Sequence, residues 1–323
     1  MDEKADCLPL TALEETETEL KYNLPPWAKA SLKQKALLIG IKTAICMPVL
    51  IVMLLTGLLY FEYIFCYIMV LVLKNTSNWQ EDFWQFDRIR GLICCFLMTI
   101  FVLNFIVSYF QAITTDPGSV PRTEEWELGI ENQENTEKIL EKRKDGTERF
   151  CKNCETRKPD RCHHCKQCDR CVLKMDHHCS WIINCVGFKN YKYFFLAIFY
   201  ASLALSLFVC TFWETVIKAL LVQKEAQVFT LFIVSSYMLS TFVGILMIGF
   251  LGFHVCLVWN NLTTLEYCEK FRKNGMKMDR SVYSSTVFVN IKEAFGNNLF
   301  LWLVPFGFNK AEDSGLYFAP NLR

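Results

Sequence analysis

Four long apolar stretches limit what this chain of 323 residues can fold into. They cover residues 44–72, 91–113, 193–222 and 228–258. Each contains the roughly 20 mostly apolar residues that an α-helix needs to cross a bilayer. Because the 52% apolar content is concentrated in these stretches, the usual expectation of two soluble domains for this length does not apply. The sequence predicts an all-α membrane protein with four transmembrane helices.

Lysine and arginine are distributed unevenly among the segments outside these stretches. The segment before the first span, the long loop between spans two and three and the C-terminal tail are rich in both residues, whereas the two short loops carry few. Positively charged loops remain on the cytosolic side of a membrane. Both termini and the long loop are therefore predicted to face the cytosol. The net charge of +1 gives no indication of nucleic-acid binding.

The chain is thus predicted to have five regions. These are a cytosolic N-terminal tail (1–43), transmembrane helices one and two (44–113), a cytosolic loop (114–192), transmembrane helices three and four (193–258) and a cytosolic C-terminal region (259–323). The expected location is an endomembrane such as the Golgi or the endoplasmic reticulum, or the plasma membrane.

Residues 150–185 contain eight of the sixteen cysteines and four of the five histidines. Pairs of the form Cys-x-x-Cys and His-His at this density are typical of structural zinc. In a reducing cytosol such thiols bind metal or react rather than form disulfides. Two tetrahedral sites need eight ligands, and one histidine from each His-His pair completes a set of six cysteines. The six are Cys151, Cys154, Cys165, Cys168, Cys171 and Cys185. We expect two structural zinc ions in a cytosolic module between spans two and three, with a pairing that spacing leaves open.

This set of ligands leaves Cys162 and Cys179 unused. Cys179 directly follows Asp176, His177 and His178. A neighbouring imidazole can accept the proton of a thiol, and a carboxylate can orient that imidazole. If one of the two histidines binds zinc, the other is available as the base, and spacing does not distinguish them. The alternative interpretation is a third set of metal ligands.

The Asp-His-His-Cys sequence within this cysteine-rich stretch resembles the DHHC family of integral-membrane protein S-acyltransferases (palmitoyltransferases). Asp116-Pro117-Gly118 resembles the DPG motif of the family, and Thr263-Thr264-Leu265-Glu266 resembles its TTxE motif. Asn290, followed by Phe295-Gly296, resembles its C-terminal segment, which packs against the catalytic module. The resemblance extends from the first span to about Phe306.

The resemblance implies a role for each residue of the site. Cys179 would be the nucleophile, His177 its base, Asp176 the residue that orients His177, and His178 a zinc ligand. The implied zinc sites are Cys151, Cys154, His164 and Cys171 for one ion, and Cys165, Cys168, His178 and Cys185 for the other. Thr264 would hydrogen-bond near Asp176, Asn290 would support the structure, and Trp181 and Phe194 would line an acyl groove.

The implied activity is protein S-acylation. A long-chain acyl group would pass from an acyl-CoA, such as palmitoyl-CoA, to Cys179 as a thioester and then to membrane-proximal cysteines of substrate proteins. The alternatives are a membrane scaffold whose zinc module only binds partners, and a chain that acylates itself but transfers poorly. The sequence departs from the family at Ser180, where proline is usual, and at Ile183, where asparagine is usual.

Overall fold

The computed structural model describes residues 32–73, 81–126, 139–221, 227–274, 280–307 and 315–318. The chain forms two compact units, Met1–Leu50 and Ile51–Arg323. The first unit is helical from Leu32 onward. Residues 1–31 of the predicted N-terminal tail lie outside the described residues. The second unit contains the cysteine-rich and C-terminal regions and most of the long helices.

The four apolar stretches form four long helices. They are α1 (Leu32–Leu73), α2 (Glu81–Thr114), α3 (Tyr191–Leu221) and α4 (Gln227–Trp259). Among the described residues, four helical segments are long and apolar enough to cross a membrane: Cys46–Cys66, Ile89–Thr114, Tyr191–Leu221 and Val228–Trp259. The predicted fold class is confirmed: the chain is a multi-pass helical membrane protein with a cysteine-rich region between spans two and three.

Buried polar side chains join α1 to the other spans. The hydroxyls of Tyr63 and Thr211 lie 2.7 Å apart and link α1 to α3. Ser236 of α4 donates to the carboxylate of Glu62 at 2.6 Å, and Glu62 is buried. Because an unsatisfied polar group in hydrocarbon costs several kcal/mol, each of these bonds favours one arrangement of the helix pair that it joins.

The cysteine-rich region folds into three short antiparallel hairpins, although the sequence showed no lasting strand periodicity. The strands are β1 (Phe150–Cys151), β2 (Thr156–Arg157), β3 (His163–Cys165), β4 (Arg170–Val172), β5 (His177–Cys179) and β6 (Asn184–Val186). Strand β1 pairs with β2, β3 with β4, and β5 with β6. Strands of two or three residues have too few hydrogen bonds to be stable alone, so other interactions must hold this region.

Two asparagines attach the third hairpin to the end of α2. The side-chain amide of Asn184 donates to the backbone carbonyls of Ala112, Ile113 and Thr115 at 3.0–3.3 Å. Asn190 donates to the carbonyls of Ala112 and Cys185. The last carbonyls of a helix have no partner within it. These amides therefore donate to backbone carbonyls at the end of α2 that would otherwise lack a hydrogen-bond partner. They also position the third hairpin against α2.

The DPG motif connects α2 to the second hairpin. The carboxylate of Asp116 accepts a hydrogen bond from the backbone N–H of Gly118 at 2.7 Å, and Leu173 N–H donates to the Gly118 carbonyl. Gly118 has a φ of 101°, a conformation that only glycine adopts without strain. The motif therefore forms a tight turn that continues into backbone pairing with the cysteine-rich region.

The C-terminal region begins directly after α4 and packs back on it. It contains α5 (Thr264–Asn274), α6 (Val287–Phe295) and a 3-10 turn at Leu299–Leu301. The side chain of Thr286 caps α6 by accepting from Val289 N–H. Asn290 of α6 donates to the carbonyl of Trp259 at 2.8 Å and to the hydroxyl of Ser284 at 3.1 Å. This asparagine thus ties α6 to the last residue of α4.

A buried guanidinium connects the cysteine-rich region to the C-terminal region. Arg161 is fully buried and forms a bidentate pair with Glu266 of α5 at 2.6 and 2.9 Å. It also donates to the side chain and carbonyl of Asn261 at 3.0 and 2.9 Å. Glu293 of α6 lies 3.5 Å from Arg161 and 2.6 Å from Lys174. Bidentate pairs of this kind are geometrically specific, so the network fixes both α5 and α6 against the hairpins.

Replacing Arg161 with alanine should lower stability by about 3–5 kcal/mol, because it removes the buried partner of Glu266, whose side chain is only 14% exposed. Arg90→Ala is the matched control. Its pair with Glu214 is solvent-exposed, and the loss should be at most about 1 kcal/mol. Thermal unfolding of the purified variants in one detergent would measure both. A similar loss in the two variants would contradict the role assigned to Arg161.

Candidate active site and metal centres

Strand alternation separates the two adjacent histidines of the third hairpin. Successive side chains of a strand point to opposite faces. His177 and Cys179 of β5 therefore lie on one face, and His178 lies on the other. His178 is opposite Cys185 in the register of β5 and β6. Strand geometry therefore gives the two adjacent histidines different surroundings, a difference that spacing alone does not show.

The first metal group joins the first two hairpins. Its members are Cys151, Cys154, His164 and Cys171, whose ligand atoms all lie within 4.8 Å of one another. The Sγ of Cys154 is 3.2 Å from Nδ1 of His164. The register of β3 and β4 places His164 opposite Cys171. These are the residues that the family resemblance implied for one ion.

The second metal group joins the second and third hairpins. Its members are Cys165, Cys168, His178 and Cys185. Nδ1 of His178 lies 3.5, 3.4 and 3.6 Å from the sulfurs of Cys165, Cys168 and Cys185. A tetrahedral zinc ion with bonds of about 2.1–2.3 Å separates its ligand atoms by roughly 3.5–3.8 Å. Three thiols and one imidazole at these distances could therefore hold a zinc-sized ion.

Asp176 is buried next to His177, and both oxygens of its carboxylate accept hydrogen bonds. One carboxylate oxygen accepts from the backbone N–H of Thr264 at 2.8 Å. The other accepts from the Thr264 hydroxyl at 2.6 Å and lies 2.7 Å from Nδ1 of His177. A carboxylate held in this way fixes the tautomer and orientation of an imidazole. The second ring nitrogen of His177 is then available to a neighbouring thiol.

The electrostatics of the site favour a thiolate–imidazolium pair. Burial lowers the pKa of His177, but hydrogen bonds to Asp176 and Cys179 outweigh it and raise the pKa to about 9. Burial raises the pKa of the Cys179 thiol, yet the hydrogen bond and charge of His177 reverse this and lower the pKa below its usual value. Thiolate is the nucleophilic form of cysteine, so this arrangement suits nucleophilic chemistry at Cys179.

Comparison with known proteins agrees with this geometry. Residues 144–270 match the DHHC palmitoyltransferase family. Probable protein S-acyltransferase 16 of Arabidopsis thaliana is 32% identical over 80% of this chain and 88% of that protein. Palmitoyltransferase ZDHHC15A of Danio rerio is 31% identical over 80% of each chain. Palmitoyltransferase ZDHHC20 of Bos taurus is 33% identical over 64% of this chain and 61% of that protein. The chain belongs to the DHHC palmitoyltransferase family.

The two residues expected to line the acyl groove of this DHHC protein lie in different environments. Trp181 is 58% exposed, and its carbonyl accepts from the hydroxyl of Tyr109 on α2 at 2.6 Å. Phe194 of α3 is buried with its ring edge-on to His177 at a centroid distance of 5.1 Å. Phe194 therefore contacts the proposed base, and Trp181 presents its side chain at the surface.

No motif of the sequence pointed to several residues that surround the site. His254 of α4 is fully buried 5.2 Å from the Phe194 ring, and its Nδ1 lies 3.1 Å from the hydroxyl of Tyr191. Tyr191 and Tyr109 carried no motif, and a single histidine in an apolar span indicates little more than a hydrogen bond between helices. Only the three-dimensional packing shows that the ring of His254 lies 6.3 Å from that of His177 and that Tyr191 contacts His254.

The two departures from the family pattern lie on the turn of the third hairpin. Ser180 is exposed directly after Cys179. Ile183 has a φ of 52°. Left-handed backbone is uncommon for β-branched residues, whereas asparagine adopts it readily. The departure at position 183 therefore places a strained residue four positions after the candidate nucleophile.

Ile183→Asn should raise stability by about 1 kcal/mol, because asparagine removes much of the backbone strain of the left-handed conformation. Ile183→Val is the control, since valine is also β-branched and keeps the strain. Thermal unfolding of the two variants, with bound metal measured in parallel, would test this. Equal stability of the asparagine and valine variants would mean that the turn is not strained at this position.

His177→Ala and His178→Ala should have different effects on bound metal. His178→Ala removes one ligand of the second metal group and should lower metal content and stability together, because metal-binding energy is also folding energy. His177→Ala should keep the metal. His178→Cys should restore it, since a thiolate can replace the imidazole in a four-ligand site. Elemental analysis of each variant would decide, and equal metal loss in both alanine variants would refute the assignment.

Proposed function

We propose that this protein is an S-acyltransferase that moves a long-chain acyl group from acyl-CoA to cysteines of substrate proteins through a thioester on Cys179. One observation carries the proposal. Cys179 belongs to neither metal group, yet it lies beside an imidazole that a buried carboxylate orients. A partner-binding scaffold has no need of such a thiol. Membership of the DHHC family supports the same activity.

In the first step His177 accepts the proton of the Cys179 thiol. The thiolate attacks the thioester carbonyl of acyl-CoA, a new carbon–sulfur bond forms, and the bond to the CoA sulfur breaks. The departing CoA thiolate takes the proton from His177. Asp176 stabilises the imidazolium that exists between these two proton transfers. The products are CoA and acyl-Cys179.

In the second step a substrate thiol gives its proton to His177 and attacks the carbonyl of acyl-Cys179. The acyl group passes to the substrate sulfur, and the Cys179 thiolate leaves and recovers the proton. One thioester replaces another in each step, so no large change in bond energy has to be overcome. The contribution required of the protein is a poised thiolate and correct positioning of both reactants.

The membrane supplies the binding site for the acyl chain. In the proposed topology, the N-terminal tail, the loop at 114–192 and the C-terminal region at 259–323 are cytosolic, and the spans place Cys179 at the cytosolic face. A chain that remains among the spans gains about 0.8 kcal/mol per buried methylene. Phe194, beside His177, and Trp181 would line the groove near the thioester. Substrate proteins would need a cysteine close to the same membrane surface.

Two zinc ions would have a structural role. The groups Cys151, Cys154, His164 and Cys171, and Cys165, Cys168, His178 and Cys185, each provide a full set of four protein ligands. Bound zinc would supply closed cross-links between hairpins and no open position for water. Cys162 is buried in contact with Cys171 and is needed by neither group.

Cys179→Ser should abolish both self-acylation and transfer, because a serine hydroxyl is far harder to ionise near neutral pH than a thiol. Its metal content should be unchanged. Ser180→Pro, which restores the usual family residue, should keep the intermediate. Purified protein would be incubated with labelled palmitoyl-CoA, with and without a substrate protein, and the hydroxylamine-labile label located by mass spectrometry. Label on another cysteine, with full activity of Cys179→Ser, would overturn the mechanism.

A further inference from the structure

The segment that follows α6 carries an apolar surface without charge. Residues 297–307 contain no charged side chain. Here and on α6, six large apolar residues are exposed: Phe288, Val289, Leu299, Phe300, Leu303 and Phe306. We call these six residues the C-terminal apolar patch. Phe300 is 92% exposed. Large exposed apolar surfaces on a folded region mark interaction sites.

Hydrogen bonds to α3 show how far this segment extends along that helix. The side chain of Lys192 donates to the carbonyl of Phe306 at 3.3 Å, and the hydroxyl of Tyr200 donates to the carbonyl of Leu303. Lys192 and Tyr200 are eight residues apart on α3, about 12 Å along its axis. Because α3 is a candidate membrane span that begins at Tyr191, the segment reaches the level of residues well inside the span.

We propose that the C-terminal apolar patch is embedded in the bilayer that surrounds the spans, so that residues 297–307 form a re-entrant segment beside α3. Its partner is the acyl-chain region of the lipids rather than another protein. The segment would enter from the side of Lys192, reach its greatest depth near Phe300 and Leu303, and return past Phe306. The proposal rests on the topology in which the start of α3 is cytosolic.

Several backbone groups of the segment are hydrogen-bonded within the protein, as membrane depth requires. Irregular backbone in hydrocarbon is tolerated only where its polar groups are satisfied by the protein. The N–H groups of Leu301, Trp302 and Val304 donate to carbonyls within the segment. The carbonyls of Leu303 and Phe306 accept from α3, and the Trp302 indole donates to the Gly296 carbonyl at 2.9 Å.

The packing of α6 places the patch next to the spans. Phe295 of α6 meets Phe195 of α3 edge-on at 4.9 Å and belongs to a buried cluster with Val258 of α4. The ammonium of Lys292 lies 4.7 Å from the centre of the Phe288 ring. Long basic side chains beside apolar surface are typical of a membrane interface, where the stem is buried and the charge stays in water. The patch is thus flanked by the spans and by an interfacial cation.

Photo-cross-linking of the full-length protein in liposomes tests the proposal. Phe300 would be replaced by p-benzoyl-phenylalanine, with Phe110 of α2 as the lipid-facing control and Lys166 of the second hairpin as the solvent-facing control. Phe110 is 63% exposed on a span, and Lys166 is exposed. After irradiation, mass spectrometry would identify the adducts. We expect lipid adducts at position 300 comparable with those at position 110 and well above those at position 166.

Two cross-linking results would overturn the proposal. An adduct between position 300 and a second copy of the chain would make the patch an oligomer interface, and lipid adducts no more abundant than at position 166 would make it a cytosolic surface. Phe300→Asp provides a second measurement in the same liposomes. It should destabilise the protein strongly, whereas Lys166→Asp should not, and equal stability of the two would also reject the proposal. Acylation of Cys179 is measured separately, so failure here leaves the proposed activity untouched.

Discussion

The buried carboxylate of Asp176 joins the parts of the protein that the proposed chemistry requires. It accepts two hydrogen bonds from Thr264, which follows the last span, and it lies 2.7 Å from Nδ1 of His177 in the third hairpin. Burial raises the pKa of Asp176, but the hydrogen bond and charge of His177 outweigh this and lower the pKa. The ionised form of Asp176 is therefore favoured chiefly by His177, and the hydroxyl of Thr264 adds to the effect. The position of α4, the hairpin and the base are coupled through one side chain.

The cysteine-rich region depends on such attachments because its buried cluster is shared with residues outside the hairpins, among them Trp126, Tyr283 and Phe318. Its strands have two or three residues each, and metal-stabilised hairpins are a common solution for small regions of this kind. The metal groups link each hairpin to the next, but they do not link the region to the rest of the protein. Asn184 and Asn190 do this on the side of α2, and Arg161 does it on the side of α5 and α6. Buried charge pairs are costly to break, which gives this arrangement one defined geometry.

Local sequence patterns were sufficient for the spans and for the candidate ligands, but they did not predict long-range packing. The contact of Thr264 with Asp176 was expected only from the family resemblance. Hydrophobicity and length locate four helices, and Cys-x-x-Cys spacing indicates which thiols could bind metal. Spacing could not separate His177 from His178, because the distinction requires strand alternation. It also could not predict that Arg161 pairs with Glu266, which is 105 residues away. The position of Leu303 along α3 depends on the hydrogen bond from the Tyr200 hydroxyl to its carbonyl, and no sequence pattern indicates this bond.

An internal repeat of 14 residues explains why the thiol of Cys179 lies outside both metal groups. Cys151, Cys165 and Cys179 each end the first strand of a hairpin, and the first two belong to metal groups. The residues three positions after the first two cysteines are Cys154 and Cys168, which are also metal ligands, whereas the third hairpin has Ile182 at this position.

The second and third hairpins also differ three positions before the cysteine that ends the first strand. The second hairpin has Cys162 there, and the third has Asp176. His163 and His177 follow these two residues. Burial and the charges of Arg149 and Lys158 lower the pKa of His163 to about 4, while Asp176 and Cys179 raise that of His177 to about 9. Two changes to a metal-binding hairpin thus produce a free thiol and an activated base.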